Sequence, residues 1–353
     1  MSRIVAVAPV LAPHAYPQHE ITATIAPLLT TDPARRALLE RVHRSSGVAT
    51  RHLALPLADY ADLTSFGAAN DAFIAVGSDL AEQAGRAALA AAGLLPQDVD
   101  YVFFTSVTGV AAPSLDALLV ERMGLRSDVR RLPSFGLGCA GGAAGLGHVH
   151  DHLLAHPEHV ALLISIELCS LTIQHGDDSP ANLVASGLFG DGGVAVVVVG
   201  SEHPAARRDA ARIHDAATRV YPGTTDHLGW SVGSTGLRIV LDAGLPDVVG
   251  EHLAEDVQTF LEPHDLKARD IGSWVVHAGG PRIVEAVRAA LDLDAAALQP
   301  TLDVLSRTGN LSSASVLHVL DSVVRADHDA GEWGVALAFG PGVGAELVLL
   351  GWG

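Results

Sequence analysis

The stretch Leu132–Gly142, LPSFGLGCAGG, sets a single cysteine, Cys139, between glycines. Leu146, Val149, Leu153 and Leu154 follow at helical spacing, so a helix is expected to begin just after the thiol. A thiol at a helix N-terminus faces unpaired backbone N–H groups and the positive end of the dipole. Both favour the thiolate, which is the nucleophilic form. The glycines let an acyl chain or another backbone approach closely. Taken alone, the same residues also fit a small buried cysteine on a glycine-rich turn.

Two further residues extend the chemistry. His277 closes the apolar run SWVVH, at the carboxyl end of an expected strand, where α/β sheets place their ligands. Asn310 stands in SRTGNLSSAS, a second glycine-bearing turn. An imidazole beside a cysteine stabilises its thiolate as an ion pair. When a thioester is attacked, or a malonyl group loses carbon dioxide, negative charge develops on a carbonyl oxygen. A His N–H and an Asn NH₂ supply the donors that this oxygen needs, and no carboxylate is required. Each residue also has an ordinary reading, His277 as a satisfied polar residue and Asn310 as a helix N-cap.

The elements that would position this set recur in the chain. DVDYVFFTSVTG at 98–109 resembles DIGSWVVHAGG at 270–280, and the turn of Cys139 then corresponds to that of Asn310. Phe189 in LFGDGG likewise matches Phe339 in AFGPGVG. The same order at similar spacing predicts two related α/β halves, 1–205 with the nucleophile and 206–353 with His and Asn. If they pack about a pseudo-twofold axis, Cys139 and Asn310 face each other at the centre. Strands at 4–10, 101–109 and 159–167 and helices at 34–46 and 68–93 predict sheets covered on both faces.

Composition narrows the class. The chain has 353 residues, 49% of them hydrophobic, enough for a large packed core. A net charge of −18 argues against a nucleic-acid-binding surface. Two cysteines without a pairing pattern fit a reducing cytosol, so a cytoplasmic location is expected. No apolar run is long enough to span a membrane, and the N-terminal MSRIVAVAPVLAPHAYP is broken too soon by Pro and His for a signal peptide.

Together GLGCAGG, VVHAGGPRI, TGNLSSAS, LFGDGG and AFGPGVGAE resemble the chalcone synthase family, the type III polyketide synthases, from about Arg51 to the C-terminus. The resemblance implies a thiolase-like five-layered αβαβα fold with two pseudo-repeated halves, and a homodimer. It implies that Cys139 carries the acyl starter and growing chain, and that His277 and Asn310 form the oxyanion site. Substrates would be an acyl-CoA starter and malonyl-CoA, with no cofactor and no metal. Phe189 matches the family's gatekeeper between the CoA tunnel and the cavity. Its apolar ring would disfavour water and carboxylate and so assist decarboxylation. Ser312, Gly280 and Pro341, from the same motifs, join the implied substrate-binding set.

Several positions depart from the plant pattern. Cys169 in SIELCSLTIQ replaces a cavity threonine, with Thr172 on the same wall. Ala112 stands where a methionine would reach the partner's cavity, and Ile239 near a family phenylalanine. The smaller side chains predict room for an aliphatic starter, as in bacterial members that make alkylresorcinols or alkylpyrones. Arg51 is the candidate for gripping CoA phosphate, although the basic cluster Arg41, Arg44 and Arg51 also reads as a solvated face. The alternative within the fold is a ketoacyl-ACP synthase III-like enzyme making one condensation, whose HQAN segment is here HAGG. A papain-like hydrolase also orders Cys, His and Asn, but its tryptophan-bearing cysteine signature is absent. A catalytically silent binding member of the fold is a third possibility, disfavoured by the intact triad.

Overall fold

A computed structural model describes residues 1–207 and 210–353. The first half runs β1 (Ser2–Leu11), β2 (His14–Pro17), α1 (Gln18–Leu29), α2 (Pro33–Arg44), β3 (Thr50–Leu53), α3 (Phe66–Ala92), β4 (Tyr101–Thr105), α4 (Leu115–Met123), β5 (Arg130–Ser134), α5 (Gly141–Ala155), β6 (Val160–Leu168), α6 (Pro180–Leu188) and β7 (Asp191–Gly200). The second runs β8 (Ala211–Val220), β9 (Leu228–Gly233), β10 (Gly236–Leu241), α7 (Leu245–Leu261), β11 (Ile271–Val276), α8 (Pro281–Ala290), α9 (Gln299–Thr308), α10 (Ser315–Val324), β12 (Trp333–Gly340) and β13 (Gly344–Gly351).

Local chemistry sets the limits of these elements. Ser65 caps α3 by accepting the Ala68 N–H, and Gly93 ends it in the left-handed conformation. Asp32 caps α2, with Pro33 at its first position. The strands β6 and β7, VALLISIEL and DGGVAVVVVG, are buried along their whole length, as strands covered on both faces require.

Nine strands form one mixed sheet in the order β11-β12-β13-β8-β1-β7-β6-β4-β5. Outward from the β1–β8 contact, the orders β1-β7-β6-β4 and β8-β13-β12-β11 repeat the same series of antiparallel, antiparallel and parallel pairings. Only Ser2–Ile4 and Ala211–Ile213 pair across that seam. The strand order therefore carries the two pseudo-repeated halves expected of the thiolase-like fold.

The first half of α5 and most of α10 are buried on nearly every side, which suits a layer enclosed by sheet on both faces. Leu146 and Val149 of α5 and Val316 and Leu320 of α10 share one core with Val194 and Val196 of β7 and with Ala336 and Val348 from the second half. Helix α3 covers the outer face of the first half through Leu80, Ala84 and Ala88. Helix α7 covers that of the second through Val249, Leu253 and Val257. Five layers result. No helix among the described residues is long and apolar enough to cross a membrane.

The match of Phe189 to Phe339 is one of motif and not of place. Phe189 lies at the end of α6, inserted between β6 and β7, whereas Phe339 lies inside β12 before the tight turn to β13.

Candidate active site

Cys139 sits in a single tight turn, Gly138–Ala140, that runs straight into α5. Glycines allow the second half to come against this turn. A Cβ on Gly142 would stand 2.2 Å from the Ser313 carbonyl oxygen, and one on Gly138 would lie 2.4 Å from Pro341 Cδ. The half-buried Cys139 Sγ donates to Ser312 Oγ at 3.6 Å. Ser312 is held at φ +48°, a left-handed conformation uncommon outside glycine.

Asn310 explains why that strain persists. Its Oδ1 accepts the Ser312 N–H at 2.8 Å and the Ser315 hydroxyl at 3.3 Å. Because those partners are donors, the amide is oriented with its NH₂ away from them. Nδ2 has only a long contact to the Gly279 carbonyl, at 3.5 Å. The backbone of Asn310 is bridged to Phe189, with Asn310 N–H to Leu188 O at 2.8 Å and Gly190 N–H to Asn310 O at 3.0 Å. The two halves are thus stitched together at Phe189.

His277 lies one residue beyond β11, with its N–H bonded to the Leu337 carbonyl at 2.9 Å. Among the described residues its buried Nδ1 has no partner, and no carboxylate bonds that nitrogen. Burial lowers its pKa to about 4 and pushes the Cys139 thiol up to about 12. Burial thus disfavours the charged form of each group taken singly, and the ion pair expected from the sequence has to be carried by the attraction between thiolate and imidazolium.

Cys139, His277, Asn310, Phe189 and Gly280 line one cavity of about 500 Å³, together with Leu188, Phe339 and Arg282. A second, narrow cavity of about 40 Å³ lies beyond Phe189, the residue common to both walls. It is lined by Cys169, Thr172, Ile239 and Arg51, and also by Tyr60 and Trp230. The structure therefore brings Cys139, His277 and Asn310 to one chamber and groups Cys169, Thr172 and Ile239 in the next. Ser312 acts through Cys139, and Pro341 packs against the Cys139 turn; neither is among the cavity-lining residues. Ala112 is exposed on the loop after β4 and lines neither cavity of its own chain.

Arg51 requires correction as a grip for CoA phosphate. It is 3% exposed, donates from Nε to Gln18 Oε1 at 2.9 Å and from Nη1 to the Phe189 carbonyl at 2.7 Å, and faces inward. A fixed, desolvated guanidinium in the core is not available to a phosphate arriving from solvent.

Sequence reasoning also passed over Glu167. This buried carboxyl accepts Val107 N–H at 3.1 Å and the Thr108 hydroxyl at 2.9 Å on Oε2, with Ser106 at 3.3 Å; Ser313 Oγ donates to Oε1. Burial raises its pKa. The signal was present as an acid ending the otherwise apolar run HVALLISI.

Models of known families match the sequence that builds this site. Residues 2–203 match the N-terminal domain of chalcone and stilbene synthases and residues 212–351 their C-terminal domain. A 1,3,6,8-tetrahydroxynaphthalene synthase from Streptomyces peucetius subsp. caesius is 54% identical over 352 residues, covering 99% of this chain and 93% of that protein. An alpha-pyrone synthesis polyketide synthase-like protein of Mycobacterium tuberculosis is 30% identical over 91% of this chain and 84% of its own length. The crystal structure of the tetrahydroxynaphthalene synthase of Streptomyces coelicolor A3(2), a bacterial type III polyketide synthase, superposes with a TM-score of 0.92 at 31% identity, covering 99% of each chain. With a cysteine, a histidine and an asparagine converging on one chamber inside that fold, the chain belongs to the chalcone and stilbene synthase family, the type III polyketide synthases.

Proposed function

We propose that this polyketide synthase uses malonyl-CoA as both starter and extender and cyclises a short chain to a compact polyhydroxylated aromatic of the tetrahydroxynaphthalene kind. The observation that carries this reading is the narrowness of the chamber beyond Phe189, about 40 Å³. The aliphatic starter expected from the small side chain of Ile239 meets an obstacle there. Trp230 is the register partner of Ile239 on the β9–β10 hairpin and lines the same cavity. The indole fills the volume that the missing phenylalanine would free. The relative at 54% identity, named for a naphthalene product, supports the same choice.

The steps use side chains and CoA thioesters alone. His277 takes the Cys139 proton as sulfur attacks the starter thioester, and CoA leaves as a thiol with that proton. Malonyl-CoA then enters with its carboxylate towards Phe189. Its C–CO₂ bond breaks, and the electron pair becomes an enolate whose oxygen accepts hydrogen bonds from His277 and Asn310 Nδ2. The enolate carbon attacks the Cys139 thioester and releases the thiolate, leaving a β-ketoacyl-CoA two carbons longer. Arg282, at the start of α8 on the larger cavity, is the cation offered to CoA phosphate.

The proposed assembly is a homodimer joined along β5, the sheet edge. Beside that edge Leu132, Phe135 and Val110 are 41%, 55% and 43% exposed, and Ala112 lies in the same loop as Val110. Light scattering after size exclusion should give twice the chain mass.

Incubation with labelled malonyl-CoA alone, and with acyl-CoA starters from hexanoyl upward, tests the substrate reading by mass spectrometry. An aromatic from malonyl-CoA alone, without an acyl carrier protein, is expected. Alkylpyrones from long starters with no malonyl-only product would overturn it, and a requirement for carrier protein would favour the ketoacyl-ACP synthase alternative.

A further inference from the structure

The narrow inner cavity ends on a buried cation whose hydrogen bonding is incomplete. Two donors of Arg51 are committed, Nε to Gln18 and Nη1 to the Phe189 carbonyl, while the buried Nη2 has no partner among the described residues. The neighbouring carboxylate does not fill the gap. Asp191 already accepts the N–H groups of Ala54 and Ser170, at 2.6 and 2.7 Å, as well as the Ser170 hydroxyl. The other polar groups of the wall are also occupied. Tyr60 is paired with Ser170, Asn182 Nδ2 with the carbonyls of Gln174 and Asp177, and Thr172 with the Cys169 carbonyl. An unpaired guanidinium N–H in a desolvated site is costly unless an acceptor arrives.

We infer that Arg51 Nη2 receives the free carboxylate at the distal end of a malonyl-primed chain, and so selects an acidic starter over a neutral alkyl one. This rests on the malonyl-primed reading above. A carboxylate completes the donor set, whereas a hydrocarbon end leaves the donor orphaned, and the second case is the one that discriminates strongly. The small volume admits a terminal carboxylate and little chain behind it. The same planar group holds the Phe189 carbonyl through Nη1, so the occupant of the inner cavity and the gate share one rigid fork. Arg51 is in these terms a substrate-positioning residue.

The test compares two starters of like shape, succinyl-CoA and 4-methylpentanoyl-CoA, with malonyl-CoA as extender, and reads the ratio of their extended products. Neither starter can decarboxylate to the other, so the ratio stays readable even if malonyl-CoA alone yields no aromatic, an outcome that would sink only the reading above. The wild type should prefer succinyl-CoA. In Arg51→Gln the ratio of succinyl- to 4-methylpentanoyl-primed product should fall about tenfold, the effect of losing one charge-assisted bond. Overall turnover will also drop, because the Phe189 carbonyl loses its donor, and for that reason the ratio is the readout. An unchanged ratio would show a purely structural arginine. Should Arg51→Gln not fold, the wild-type preference and Arg51→Lys decide. A wild type without a preference for succinyl-CoA would overturn the assignment, and so would an Arg51→Lys enzyme, its cation retained, that favours the neutral starter.

Discussion

Asn310 Oδ1 accepts the backbone N–H of Ser312 at 2.8 Å, and through that bond it holds a left-handed serine whose hydroxyl receives the Cys139 S–H. One side chain thus positions the nucleophile's partner with its oxygen, while its nitrogen makes a long contact to the Gly279 carbonyl at 3.5 Å and is the donor proposed for the enolate. The two duties are separable by substitution.

Asn310→Asp preserves the oxygen that Ser312 needs and removes the NH₂ that an enolate needs. Carbon dioxide release from malonyl-CoA should fall about a hundredfold, the usual loss for one oxyanion donor. Acylation of Cys139 by acyl-CoA, followed by mass spectrometry of the intact protein, should persist within a few fold. Cys139→Ala should form neither acyl-enzyme nor product. Equal loss of acylation and decarboxylation in Asn310→Asp would contradict the division of labour.

The close approach of the two halves depends on absent side chains. A Cβ on Gly142 would lie 2.2 Å from the Ser313 carbonyl, a contact that only backbone movement relieves. Gly142→Ala should cost about 3 kcal/mol, at the upper end of ordinary overpacking. In a chain of this length that is a drop of several degrees in Tm. Gly67→Ala, in the first turn of α3 with nothing within 4 Å of the added carbon, should be neutral or slightly stabilising. Thermal melts of the two variants side by side separate a steric effect from a general glycine effect.

Glu167 can be neutralised but not removed. Its Oε2 meets three donors and its Oε1 meets the Ser313 hydroxyl, which also bonds Ser165 Oγ at 2.8 Å. A glutamine can place its oxygen at the three donors and its NH₂ at Ser313, whose hydroxyl then donates to Ser165. Glu167→Gln should therefore melt close to wild type, and Glu167→Ala should lose about 3 kcal/mol or more by orphaning buried donors. Equal melting temperatures for the two variants would refute the network.

Much of this was legible in the residues. The long amphipathic α3, the largely apolar β6 and β7 and the glycine-flanked Cys139 carry their own periodicity or punctuation, and the repeated strand–turn segments placed His277 and Asn310. Arg51 was misplaced because a cation near other arginines reads as surface. Its burial depends on Gln18, Phe189 and Asp191, which reach it from distant parts of the chain. Trp230 was missed for a related reason. Opposing Ile239 is a matter of hairpin register, and a substitution that opens space at one position is offset by a neighbour across the strand. Cavity volume is a sum over such pairs, and no single position reveals it.

Buried histidines set the acid limit of the fold. His43, His277 and His318 are all buried, and burial lowers their pKa values to about 3, 4 and 4. In the unfolded chain each titrates near its ordinary value of about 6.5. Because the folded values are depressed for a base, the unfolded state binds more protons below pH 6.5. Their contribution to stability is complete above that pH and is lost as pH falls towards 4. Near pH 5 three such groups give a slope of about 4 kcal/mol per pH unit. Urea midpoints should therefore change little between pH 8 and pH 7 and fall steeply between pH 6 and pH 5. His318 Nε2 bonds the Gly193 carbonyl at 2.9 Å, outside both cavities, and is the one to test. His318→Gln, which retains a donor and does not titrate, should reduce the acid slope near pH 5 by about 1.4 kcal/mol per pH unit, the share of one proton. A slope unchanged in that variant would place the acid lability elsewhere.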